Sequence, residues 1–125
     1  MLIKIEGRPI AKKNSKRIGT NKYTGRVFIT SSKQWGEFEK YALEQLLQYK
    51  NKTFKGIVRV DYDFYYKGQY RLDVDNAMAG INDVLQEAGI IEDDRFIEAG
   101  SFKITRGNNT WVSFITINEL EGGEK

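Results

Sequence analysis

The chain has no cysteine and no histidine, only one proline, and no long apolar run. Without cysteine there is no disulfide, thiolate zinc site or cysteine nucleophile, and a reducing cytoplasm is the simplest expected address. Without histidine, Ser-His-Asp and Cys-His catalysis, imidazole metal ligands and the commonest general base near neutral pH all drop out. Chemistry is left to carboxylates, Lys, Arg, Tyr, hydroxyls or a bound ion. No segment reaches the roughly 18 apolar residues of a membrane span, and the opening MLIKIEGRPI lacks the apolar stretch of a signal peptide. An intracellular protein with no membrane partner is therefore expected.

What is present is globular in composition. The 125 residues are 40% hydrophobic, 13% aromatic and 30% charged, enough to bury a modest core without covalent staples. One domain is expected over residues 1–120, with EGGEK, 121–125, as a flexible tail. The net charge of +3 is mildly basic, but its distribution is uneven. Between Gly7 and Thr30 stand Arg8, Lys12, Lys13, Lys16, Arg17, Lys22 and Arg26 with no acid among them. From Arg71 to Glu98 the balance inverts: Asp73, Asp75, Asp83, Glu87, Glu92, Asp93, Asp94 and Glu98 face only Arg71 and Arg95.

LIKI reads as a first strand, and YTGRVF as the turn of a hairpin or extended loop within the basic segment. Over residues 32–50, Trp35, Phe38, Ala42, Leu46 and Tyr49 recur at helical spacing, and Ser31 with Gln34 fits a capping box. GIVRVDYDFYYK alternates strictly, placing Val58, Val60, Tyr62, Phe64 and Tyr66 on one face of a half-buried strand. A second helix follows, capped by Asp75 or Asn76, with Met78, Ile81, Leu85 and Ala88 as its apolar face and Gly89 as its stop. FIEAGSFKIT and TWVSFITINEL read as two more strands joined by a turn at RGNN. The fold class expected is α+β, a mixed sheet of about four strands with two helices packed on one face, in the order β-α-β-α-β-β. That order alone fixes no strand pairing.

RLDVDNAMAGINDVLQEAGIIEDDRF, residues 71–96, carries the chemistry. Asp73 and Asp75 precede a helix, where carboxylates cap free N–H groups and meet the positive end of the dipole. Asp93 and Asp94 lie beyond its other end, where the dipole disfavours anions, so they are either solvated turn residues or serve a separate purpose. Hard divalent cations bind oxygen donors, often one or two carboxylates plus waters and substrate phosphates. If the GIIED connection folds back along the helix, Asp94 joins Asp73 and Asp75 around an ion. Such a site polarises a phosphate and supplies a nucleophile without histidine. Asp83 taken alone is a structural or solvated residue.

The same stretch resembles the signature of the RusA-type Holliday junction resolvases: a D-x-D-N run, an amphipathic helix with an internal Asp, then A-G and D-D. GRPIAKKNSKRI resembles the family's N-terminal part, so the likeness covers most of the chain. It implies a Mg²⁺-dependent homodimeric endonuclease of phage or prophage origin, with Mn²⁺ as a possible substitute, that resolves four-way DNA junctions by paired, symmetric nicks. The implied catalytic carboxylates are Asp73, Asp75 and Asp94, with Asp93 and Asp83 as acidic neighbours. One position departs from the pattern: many relatives have a lysine one turn into the helix, and here it is Ala79. Lys12, Lys13, Lys16 or Arg71 are candidates to replace that charge.

The basic segment is then a candidate DNA contact through Lys12, Lys13, Asn14, Ser15, Lys16 and Arg17, with Arg71 beside the aspartates. Tyr65 and Tyr70 are free to meet DNA or a second subunit, while Trp35 and Trp111 are core or interface residues. A junction-binding protein that does not cut is the alternative that Ala79 favours. A D-x-D sugar-nucleotide transferase is disfavoured by the short chain and the lack of a Gly-rich strand-to-helix turn.

Overall fold

A computed structural model describes residues 1–12, 16–20, 23–31 and 33–120, with only the backbone described at 16–20 and 27–31. The elements run β1 (Leu2–Glu6), β2 (Lys16–Thr20), β3 (Val27–Ser31), α1 (Lys33–Leu46), β4 (Val58–Lys67), α2 (Val74–Glu87), β5 (Ile97–Asn108) and β6 (Val112–Glu119). Short 3₁₀ turns at Leu47–Tyr49 and Asp94–Phe96 follow α1 and precede β5.

Four strands form one sheet in the order β1-β6-β4-β5, and β2 and β3 pair separately as an antiparallel hairpin. β6 is antiparallel to both β1 and β4, whereas β5 is parallel to β4. The sheet is therefore mixed, as the element order anticipated. A parallel pair needs a crossover, and α2 lies in the one that joins β4 to β5. The two runs around RGNN are not a hairpin: β4 lies between them in the sheet.

The strict alternation of β4 is borne out, since Val58, Val60, Tyr62, Phe64 and Tyr66 are all buried. With Ile3, Ile5, Ile115 and Ile117 they pack against Trp35, Phe38, Ala42 and Leu46 of α1 and the apolar side of α2 in one core. The apolar stripe of α2 is rotated from the expected one: Ala77, Gly80, Ile81, Val84 and Leu85 are buried, and Met78 and Ala88 are only partly so. Small residues at 77 and 80 let neighbouring backbone approach the helix, and that shifts the contact line away from the bulkier Met78.

Three boundaries differ from expectation. α1 gives way to a 3₁₀ turn after Leu46. Ser31 ends β3 and the helix begins at Lys33, so the cap position, residue 32, lies outside the described residues. β5 continues through Arg106 and Gly107 to Asn108 because Gly107, at φ +87°, takes up a register shift opposite Tyr65–Lys67. The tail, 121–125, also lies outside the described residues.

Candidate active site

The head of α2 is built on Asp73. Its backbone is non-helical (φ −59°, ψ 129°), and its Oδ1 accepts the Asp75 N–H at 3.0 Å. Asp73 rather than Asp75 or Asn76 is thus the N-cap, and Asp75 falls in the first turn. Both aspartates are exposed, and among the described residues the Asp75 carboxylate has no hydrogen-bond or ion-pair partner.

Asn76 and Asp83 serve the N-terminal segment instead. The Ala11 N–H donates to Asn76 Oδ1 at 3.1 Å, and the Lys12 N–H to Asp83 Oδ2 at 3.1 Å. Between them, a Cβ on Gly80 would stand 2.8 Å from the backbone N, C and O of Ile10. Asn76, Gly80 and Asp83 lie along one helix flank and seat the chain where the basic segment begins. Lys12 is exposed on that flank. Its charge acts on Glu39 of α1, whose carboxyl is pushed up first by burial and then by the nearby Glu87 of α2, with Lys12 opposing. Lys13, Asn14 and Ser15 lie outside the described residues, as do the side chains of Lys16 and Arg17. Arg71 is exposed, two residues before Asp73.

The tail of α2 stops at Gly89 as the sequence suggested, but the connection after it stays at that end rather than folding back along the helix to Asp73 and Asp75. Gly89 adopts φ +74°, the Ile90 N–H donates to Leu85 O at 2.9 Å, and the Asp94 N–H donates to Gln86 Oε1 at 3.2 Å. Asp93 caps the 3₁₀ turn by accepting the Arg95 N–H at 3.0 Å. That bond, reinforced by Asp94 and the Arg95 charge, holds the Asp93 carboxyl below the usual range despite an opposing desolvation cost.

Two tyrosines of β4 mark the ends of this arrangement. The Tyr62 hydroxyl donates to Asn82 Oδ1 at 2.6 Å. Burial, helped by the Asp94 charge and opposed by the Asn82 bond, pushes its pKa up to about 12. The Tyr66 hydroxyl is buried and has no hydrogen-bond partner among the described residues. Its pKa is raised by burial, with Arg106 opposing and Asp73 adding to the rise. Asp73 therefore belongs to the Tyr66 end and Asp94 to the Tyr62 end.

At 1.5 Å per residue, Asp75 and Gln86 are separated by roughly 16 Å of helix. Among the described residues no three carboxylates stand close enough together to hold a metal ion. Asp73 and Asp75 alone offer two exposed carboxylates, an all-oxygen donor set that fits Mg²⁺ when waters and a substrate phosphate complete the shell.

The sequence profile of the endodeoxyribonuclease RusA family matches residues 6–116, nearly the whole folded chain. The chain belongs to the RusA family. That family is one of endodeoxyribonucleases, and the matched span includes both aspartate pairs and the basic segment. No curated protein matches the chain significantly. Among the described residues no helix is long and apolar enough to cross a membrane.

Within this RusA fold two arginines take places that local sequence pattern does not reveal. The RGNN pattern predicts a turn at Arg106, but it lies on β5, with its guanidinium carbon 5.5 Å from the Tyr66 ring centre and its Nε donating to Tyr70 O at 3.1 Å. Arg8 was one cation among seven in the basic segment, yet it stacks on Tyr70 at 4.3 Å. The signal available in sequence was the density of aromatic residues in DFYYKGQYR, which supplies ring faces for guanidinium groups.

Proposed function

We propose that this RusA-family chain is a Mg²⁺-dependent endonuclease that resolves four-way DNA junctions by paired phosphodiester hydrolysis, acting as a homodimer inside the cell. The observation that carries this is the exposed Asp73–Asp75 pair at the head of α2, in a chain whose match to the nuclease family spans both aspartate pairs. Asp73 and Asp75 would hold the ion; the family pattern names Asp94, with Asp93 beside it, as the third carboxylate, although in this chain that pair lies at the other end of α2. Bound there, Mg²⁺, or Mn²⁺ in its place, would supply a nucleophilic water at neutral pH and offset charge on the phosphate.

The protein's own contribution is placement. Asp73 uses one oxygen to accept the Asp75 N–H and so fixes how the first turn of α2 begins. Asn76 and Asp83 anchor residues 11 and 12, which sets where the basic segment, Lys12 to Arg17, starts relative to the carboxylates. Cations there offset the repulsion between acidic side chains and the DNA backbone, contacting phosphates without reading sequence. A twofold dimer would present two such sites to a roughly twofold-symmetric junction.

Ala79 supports a second reading, in which the chain binds junctions but cuts them poorly or not at all. One experiment separates the two: cleavage of a synthetic junction with and without Mg²⁺ or Mn²⁺, comparing wild type, Asp75→Asn and Ala79→Lys. Metal-dependent nicking lost in Asp75→Asn is the expected result. Binding without nicks at any metal concentration, with nicking gained in Ala79→Lys, would establish the second reading.

A further inference from the structure

α2 carries no basic residue along its whole length. Any positive charge that steadies a phosphate beside Asp73 must therefore come from another element.

We propose that Arg8, Tyr70 and Arg106 form a phosphate-binding arm on the Asp73 side of the active site, contacting the DNA backbone next to the cleaved bond. This rests on the nuclease reading and assigns particular residues to it.

The two guanidinium groups are held in the same way from two directions. Arg8 lies over the Tyr70 ring at 4.3 Å and 5.9 Å from the Trp111 centre. Arg106 lies 5.5 Å from the Tyr66 centre, and its Nε bonds the Tyr70 carbonyl. Trp111 joins the two halves: it packs on Tyr66 at 4.9 Å and meets Tyr70 edge-on at 5.3 Å. Tyr70 remains 45% exposed, so this aromatic seat opens to solvent.

Among the described residues neither arginine is ion-paired. Ring faces and one carbonyl orient them, while the terminal NH₂ groups of Arg106 stay outside its one hydrogen bond. A planar fork held this way matches phosphate oxygens in pairs, and stacking removes side-chain freedom before the ligand arrives. Location completes the case. Arg106 Nε is hydrogen-bonded to the carbonyl of Tyr70, and Tyr70 stands three residues before Asp73. The arm thus brings positive charge to the segment that leads into the carboxylate pair, from outside the helix.

The test is binding of a synthetic four-way junction in EDTA over a salt series, with wild type, Arg8→Gln, Arg106→Gln, the double variant and Arg106→Lys. Each Gln substitution should weaken binding several-fold and reduce the slope of log affinity against log salt by about 1, and the pair by about 2. Arg106→Lys keeps the charge, so it should retain the wild-type slope while losing affinity with the fork. A merely structural role would lower the melting temperature and leave the slope of the folded fraction unchanged. Single variants that fold and bind with the wild-type slope would overturn the arm even if Asp75→Asn shows the nuclease reading to be right. A wild type that binds DNA but never cuts it would sink the nuclease reading, and the slopes would still decide the arm. A wild type that binds neither junction nor plain duplex would overturn both.

Discussion

The two ends of α2 carry similar charge and handle it differently. At the head, acids meet free N–H groups and the positive end of the helix dipole, and Asp73 is used directly as the N-cap. At the tail the dipole works against anions, and the chain responds by starting a new turn there: Asp93 caps the 3₁₀ segment and its Oδ2 lies 3.9 Å from Arg95 Nε. Each pair thus has one aspartate whose position local structure explains, Asp73 and Asp93. What capping leaves unexplained is the second member of each pair, Asp75 and Asp94.

The largest expected effect separates those second members from the caps. Asp75→Asn should lower junction cleavage by about 100-fold or more, the scale of losing one charge-stabilising group in an active site, with little change in melting temperature. Asp94→Asn should do the same if the tail belongs to the site. Full activity in Asp94→Asn beside a dead Asp75→Asn would confine the chemistry to the head of the helix and remove the family-derived third carboxylate from this chain.

Next in size is the middle of the helix, which fixes both ends relative to the N-terminal segment. Gly80→Ala drives a methyl group into the Ile10 backbone at 2.8 Å, where no flexible side chain can give way. A destabilisation of about 1–3 kcal/mol, read from chemical denaturation, is expected. Asp73→Ala removes a cap from a helix of 14 residues and should cost about 1 kcal/mol. Asp93→Ala removes one from a turn of three residues and should cost measurably less. Equal costs would mean that the tail cap organises more than its own turn.

Residues whose positions follow from local pattern were legible in the sequence. The alternation of β4, the helical spacing of Trp35 to Leu46, and the Gly89 stop all stand as read, because period and turn chemistry are properties of neighbouring residues. What needed the fold were contacts between distant segments. Asn76 looked like a cap and Asp83 like a solvated acid until the chain at Ala11 and Lys12 came to lie against them. Arg106 looked like a turn residue because GNN follows it, whereas pairing with β4 carries the strand past it. The separation of the two aspartate pairs was equally hidden: one follows the carboxyl end of β4 and the other precedes the amino end of β5, and only the parallel pairing of those strands puts them at opposite ends.

The smallest effects compare the two tyrosines under the helix. Near neutral pH, Tyr62→Phe strands Asn82 Oδ1 without its donor and should cost about 1 kcal/mol. Tyr66→Phe deletes a buried hydroxyl that has no partner among the described residues, so it should be neutral or slightly stabilising. At high pH the sign follows from the raised value at Tyr62. Its neutral phenol contributes stability fully below the unfolded value near 10, and that contribution is lost as pH rises through about 12. A spectroscopic titration of the folded protein should therefore show a late tyrosinate step that disappears in Tyr62→Phe. If Tyr66→Phe instead proves as costly as Tyr62→Phe, the Tyr66 hydroxyl has a partner on the Asp73 side, and the head of the helix is tied to the sheet as firmly as the tail.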